Sequence, residues 1–205
     1  MLIKTLPVGM LETNCYIVTD EDSKKCAIID PGADSNAILD YIESNKLTPV
    51  AILLTHGHYD HHMALDAVSK STDAPVYVNE NEVNRSGRQK RHMLSDNGKF
   101  NFYTEGDMIN VGNLEFKVIE TPGHSLGSVT LICQDALFTG DTLFRGACGR
   151  TDLDGGNEDT MMLSLWRLSE LSGDYEVYPG HAESSTLGYE RSFNMYMKYA
   201  TGDLS

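Results

Sequence analysis

No apolar run in the sequence approaches the roughly 18 residues that a bilayer-spanning helix needs, so a membrane-embedded protein is not expected. Positive charge is scarce: 16 Lys and Arg stand against 30 Asp and Glu, a formal net charge of −14. Such a surface repels phosphate backbones, so no nucleic-acid partner is expected and solubility is the simple reading of the acidity. Cysteine is sparse and irregular. Cys15, Cys26, Cys133 and Cys148 form no C-x-x-C pair, which argues against a disulfide framework and against a cysteine-rich zinc site. The first three lie in apolar strand-like runs and read as core residues, whereas Cys148 lies in a glycine-rich loop. There is no repeat, low-complexity tract or evident linker. Met1 to Pro7 carry one lysine and end on a proline, with no apolar stretch and no cleavage site. No signal peptide is therefore expected, and the expected location is cytoplasmic.

The chain does have enough apolar residues, 40 % of 205, to bury one sizeable core, so residues 1–205 are expected to form a single domain. Strand-like runs occur at Leu2 to Leu6, Cys15 to Thr19, Cys26 to Ile29, Val50 to Leu54 and Val76 to Val78. Asp30-Pro31-Gly32 marks a sharp stop. Helices are expected over Asp34 to Asn45 and His61 to Lys70, the second with Asp60 placed to cap it. Asn79 to Gly106 is polar and mixed, with a basic stretch at Arg85 to His92, and reads as short helices and a long surface loop. Two hairpins follow, one turning near Gly112-Asn113 and one joining Val129–Cys133 to Ala136–Thr139. Helix over Asp159 to Leu171, strand over Glu176 to Tyr178 and a tail helix over Leu187 to Tyr199 complete the pattern. Two strand clusters, each followed by helices, suggest an α/β chain of two sheets packed face to face with helices outside.

The distribution of the seven histidines is the main functional signal. Four lie in Thr55-His56-Gly57-His58-Tyr59-Asp60-His61-His62, just past a strand. His56 and His58 alternate on an extended segment, so their side chains can converge, while Asp60 and His61 point elsewhere. One short segment can thus serve two adjacent metals. His124 and His181 each follow a Pro-Gly turn at a strand end, and Asp141 ends Phe138-Thr139-Gly140. Loops at strand ends are where rigid scaffolds present chemistry. Singly, each could be a polar turn residue or a helix cap. Together they supply seven ligands, enough for two metals and a bridge, and imidazole with carboxylate suits zinc, iron or manganese.

This arrangement, H-x-H-x-D-H followed by a distant His, Asp and His, resembles the metallo-β-lactamase superfamily along essentially the whole chain. The resemblance implies an αββα four-layer sandwich with His56, His58 and His124 on one metal, Asp60, His61 and His181 on the other, and Asp141 bridging. Within the superfamily the chain resembles short-form glyoxalase II-like hydrolases, which lack a C-terminal helical domain. Gly140-Asp141-Thr142-Leu143-Phe144, Cys148-Gly149-Arg150 and Thr186-Leu187-Gly188-Tyr189-Glu190-Arg191 carry that likeness. Met63 stands where many relatives have glycine, and His62 and His92 are not ligand positions.

The resemblance implies two divalent metals, zinc before iron or manganese, and hydrolysis of a thioester such as S-lactoylglutathione by a metal-bridging hydroxide. Asp60 and Asp141 would be catalytic as well as ligating. Arg145, Arg150, Tyr189 and Arg191 are expected to meet the substrate, a small molecule. Rival readings are a persulfide dioxygenase with one iron on His56, His124 and Asp141, a lactonase on the same ligands, and a non-catalytic metal-binding or electron-transfer module. Diiron electron-transfer relatives carry glutamate where this chain has His58, which argues against that last version. The oligomeric state is left open.

Overall fold

The computed structural model describes residues 1–84, 94–95 and 100–203. The basic stretch from Arg85 to His92, including His92, lies outside them.

In chain order the first half contains β1 (Leu2–Val8), β2 (Thr13–Thr19), β3 (Lys25–Ile29), α1 (Ser35–Ser44), β4 (Thr48–Leu53), α2 (Leu65–Thr72), β5 (Val76–Asn79), the two-residue strands β6 (Val83–Asn84) and β7 (Leu94–Ser95), and β8 (Phe100–Tyr103). The second half contains β9 (Met108–Val111), β10 (Leu114–Glu120), β11 (Val129–Cys133), β12 (Ala136–Gly140), the small hairpin β13 (Leu143–Phe144) and β14 (Ala147–Cys148), α3 (Glu158–Ser169), β15 (Glu176–Pro179), β16 (Ser185–Thr186), α4 (Leu187–Phe193) and α5 (Met195–Thr201).

These strands form two mixed six-stranded sheets, ordered β1-β2-β3-β4-β5-β8 and β16-β15-β12-β11-β10-β9. In the first, β3, β4, β5 and β8 run parallel, while β1 and β2 are a hairpin in which Leu6 pairs with Cys15. In the second, β12 and β15 are the parallel pair. Three apolar clusters explain the layering. Tyr16, Val18, Ile29 and Leu53 of the first sheet meet Phe116, Val118, Leu131 and Phe138 of the second. The opposite face of the first sheet, with Ile17, Ile28 and Ile52, buries Ile38 and Ile42 of α1 and Leu65 and Val68 of α2. The opposite face of the second, with Leu137 and Val177, buries Met161, Leu165 and Leu168 of α3 and Met197 of α5. The architecture is the α/β, αββα sandwich expected from the sequence. Central strands buried on both faces read as continuous apolar runs, and β2 is buried at all seven positions. No helix among the described residues is long and apolar enough to cross a membrane.

Local differences from the sequence expectation have physical causes. The helix expected from His61 starts only at Leu65, behind a 3-10 turn over Tyr59–His61, and Asp60 caps nothing. Its carboxylate faces His181, His61 and the Thr13 hydroxyl instead. The region expected as helix and loop contains β8, which adds to β5 in parallel register. The tail is two helices broken at Asn194, a buried residue whose amide donates to the carbonyls of Phe144 and Ala147 and to Glu190, while its oxygen accepts the N–H of Tyr196 at 3.0 Å. Asn194→Ala removes a helix cap and strands buried partners. It is expected to lower unfolding free energy by roughly 2–4 kcal/mol, read as a lower denaturant midpoint at unchanged slope.

Candidate metal centre

The ligand-bearing segments converge at the ends of strands from both sheets. β4 delivers Thr55 to His58, the 3-10 turn delivers Asp60 and His61, β10 leads to His124, β12 to Asp141 and β15 to His181. His56, His58 and His124 present ligand atoms within 4.8 Å of one another, and so do Asp60, His61 and His181. Asp141 lies between the groups. Its Oδ1 is 3.4 Å from His61 Nε2, while Oδ2 is 3.4 Å from His124 Nε2 and 3.7 Å from His181 Nε2. All seven residues singled out in the sequence therefore meet. His62 belongs to neither group.

The imidazoles are aimed by bonds on their other nitrogens. His61 Nδ1 is 2.9 Å from Asp30 Oδ2. His124 Nδ1 is 2.7 Å from the Arg150 carbonyl, and His181 Nδ1 is 3.1 Å from the Leu11 carbonyl. A carbonyl accepts only, so Nδ1 of His124 and of His181 donates, which turns Nε2 of each ring toward the ligand group. This is the usual way a protein orients a metal-binding imidazole.

The donor set fits divalent metals. Among the described residues, Nε2 of His56, Nε2 of His61 and Oδ1 of Asp141 are buried without a hydrogen-bond partner. Buried polar atoms left in that condition are costly unless a further group completes them. The electrostatics agree. Burial, reinforced by the neighbouring imidazoles, drives His56 well below the usual histidine range. For His61 burial acts in the same direction, but Asp141 and Asp30 outweigh it and push it well above that range. Burial raises Asp141 and Asp60, yet the facing histidines hold both carboxyls below the ordinary carboxylate range. A cluster of anionic carboxylates and imidazoles around one point is a cation site.

Two supporting residues escaped the sequence reading. Asp30, taken only as part of a chain stop, is buried at the end of β3. It accepts the Thr55 N–H at 2.8 Å and the Thr55 hydroxyl at 2.6 Å as well as facing His61. Asn14 on β2 donates to the carbonyls of Pro179 and Ala182, and its own N–H donates to Gly180 at 2.7 Å, which fixes the turn carrying His181. An aspartate closing a strand just before the ligand strand is the only local hint of the first. The second has none.

The site opens into a cavity of about 370 Å³ lined by Leu11, Tyr59, Arg150 and Leu153 beside the ligands. Arg150 forms a bidentate pair with Asp152, 2.7 Å at each contact, and remains exposed. Arg145 pairs with Glu183 at 2.5 Å and lies over the Tyr189 ring. Arg191 differs from expectation. Its guanidinium donates to the carbonyls of Ser169, Leu171 and Gly173, so it closes the end of α3 rather than lining the cavity. Cys148 packs against the α3 and α5 cluster, and burial pushes its thiol up to about 11, which disfavours the thiolate. Met63 is exposed and lines an apolar pocket of about 300 Å³ that shares Leu11, Tyr59 and Asp60 with the cavity.

Known proteins share this design. The probable metallo-hydrolase YqgX of Bacillus subtilis (strain 168) is 36% identical, with 95% of this chain and 96% of that protein covered. A crystal structure of BLEG-1 B3 metallo-β-lactamase superposes with a TM-score of 0.84 at 34% identity, covering 96% of this chain and 99% of the other. TTHA1623, solved in a di-iron-bound form, gives 0.80 at 32% identity, covering 94% and 99%. The family profile described as metallo-β-lactamase superfamily matches residues 8–181. With its sandwich, its groups of candidate metal ligands and these likenesses, the chain belongs to the metallo-β-lactamase superfamily.

Proposed function

We propose that this protein is a two-metal hydrolase of thioesters, with S-lactoylglutathione or a related hydroxyacyl thioester as substrate. The observation that carries the reading is the make-up of the cavity. Among the described residues lining it, the imidazoles and carboxylates are His58, Asp60, His124 and His181 of the two candidate ligand groups and Asp141 between them, leaving Tyr59 and Arg150 as the other polar side chains. Among these described lining residues no carboxyl or imidazole outside the proposed ligands is spare to protonate a poor leaving group. A thiolate, whose conjugate acid has a pKa of about 8.5, departs without such help, whereas an amide nitrogen does not.

His56, His58 and His124 would hold one cation, Asp60, His61 and His181 the other, and Asp141 both. Two divalent cations in these positions supply an activated water and a Lewis acid for the carbonyl oxygen. Asp60, which also lines the cavity, would accept a hydrogen bond from the attacking water and so orient it. Arg150 at the cavity wall would meet an anionic arm of the thiol, exchanging Asp152 for substrate. Arg145 and Tyr189, stacked together, would form a further part of the rim. Zinc is the proposed metal, and the di-iron form of TTHA1623 supports including iron beside manganese in the loading series.

Elemental analysis with a substrate panel tests this. Two metals per chain and oxygen-independent cleavage of S-lactoylglutathione, with the matching amide inert, are expected. One iron per chain with oxygen uptake on a persulfide would replace the reading with a dioxygenase. The likeness to a B3 metallo-β-lactamase favours one second reading. Cleavage of a cephalosporin, with thioesters and lactones untouched, would establish it. Fully loaded protein inert toward all of them would leave a metal-binding module.

A further inference from the structure

We infer that Glu82 is a positioning residue that ties together the two loops carrying His56, His58 and His124. Glu82 ends the 3-10 turn over Glu80–Glu82 after β5 and is 2% exposed. Its carboxylate is divided between the loops. Oε2 accepts the Gly57 N–H at 2.6 Å, and Oε1 accepts the Gly127 N–H at 2.6 Å. Gly57 lies between His56 and His58, and Gly127 follows His124 by three positions. One main-chain bond, Val129 N–H to the Thr55 carbonyl at 2.9 Å, joins the same loops at the strand ends. Glu82 joins them beside the imidazoles.

The close approach explains both glycines. A Cβ on Gly57 would stand 2.7 Å from Glu82 Oε2 and 3.1 Å from the Glu82 main-chain oxygen. A Cβ on Gly127 would stand 2.9 Å from Glu82 Oε1 and 2.9 Å from Asn79 Oδ1. The glycine inside the histidine run is therefore where a buried acid docks, a meaning the motif alone does not show. A carboxylate this deep is tolerated because both oxygens take charge-assisted bonds from backbone N–H groups. The second ligand group hangs on other anchors, Asp30 for His61 and the Leu11 carbonyl for His181. Glu82 thus supports one metal pocket selectively.

Glu82→Gln keeps the volume and separates the two ties. One amide oxygen can still accept an N–H, but the amide nitrogen then faces the other N–H as a second donor. Zinc titration of the metal-depleted full chain against a chromophoric chelator reads the effect. One of two sites is expected to weaken by about 10–100-fold, the usual cost of losing a partner behind the ligands, while the other keeps its affinity. Gly57→Ala, which displaces the same carboxylate from the opposite side, is expected to show the same selective loss. Val78→Ala, a core truncation on β5, lowers stability and is expected to leave both affinities intact.

The inference rests on the two-metal part of the proposed function and not on the choice of thioester. A wild-type chain with fewer than two tight sites would overturn that part and the inference with it. Two tight wild-type sites that persist in Glu82→Gln and Gly57→Ala, or that weaken together, would overturn the role of Glu82 alone.

Discussion

Asp141→Asn is expected to leave a folded chain that holds at most one metal and has lost the proposed thioester hydrolysis by about a thousandfold or more. The reason is geometric. Asp141 offers one oxygen to the side of His61 and the other to the side of His124 and His181. Asparagine keeps one acceptor and turns the other into a donor, which no cation can use. Losing the metal pair removes several kcal/mol of transition-state stabilisation, and each 1.36 kcal/mol is a factor of about 10 in rate. The fold should survive, because asparagine keeps the volume of the side chain and one of its acceptor oxygens. Elemental analysis, circular dichroism and kcat/KM on one preparation check this. A variant that keeps two metals and full turnover would remove Asp141 from the bridging position.

Asp30→Ala is expected to produce the largest loss of stability of any substitution in the metal centre. The Asp30 carboxylate accepts the Thr55 N–H and hydroxyl and sits 2.9 Å from His61 Nδ1. All three partners are buried. Removing one member of a buried charged pair costs about 3–5 kcal/mol, because the other is left without a partner. For a chain of this size that corresponds to a fall in Tm of roughly 6–20 °C. The metal-free protein should show the full effect. Added zinc should recover part of it, since ligand binding stabilises the folded state by mass action while His61 has lost its orienter. A Tm within two or three degrees of wild type in the metal-free state would show that Thr55 and His61 are held by other means.

The two variants separate what was readable in one dimension from what was not. Asp141 was legible because it follows a continuous apolar strand and ends in a glycine turn, in a chain already rich in histidine at strand ends. Asp30 was not, because Asp30-Pro31-Gly32 has the composition of an ordinary turn. Its function depends on Thr55 and His61, more than 20 positions away. The same contrast runs through the fold. β2 and β12 are buried at every position, and β10 alternates buried with exposed residues, so each carries a strand signal in its sequence. β8 has two exposed positions out of four and lies at the edge of its sheet, so its pattern carries little signal. The tail reads as one helix because its periodicity hardly changes, yet the Asn194 side chain caps α5 and also donates to the Phe144 and Ala147 carbonyls outside the tail. Arg191 looked like a substrate arginine because it stands in a family-like segment, but three carbonyls at the end of α3 take up its donors.

The sequence by itself determined which residues are the candidate ligands and the layer type. Residue chemistry and strand periodicity are local properties, and His56, His58, Asp60, His61, His124, Asp141 and His181 carry theirs wherever the chain places them. Only the tertiary structure decided how those side chains are aimed. Asp30, Asn14, the Leu11 and Arg150 carbonyls and Glu82 act through hydrogen bonds of 2.6–3.1 Å between segments far apart in sequence. Directional bonds of that kind depend on where two sheets bring their loops together, a relation in space that no spacing along the chain encodes.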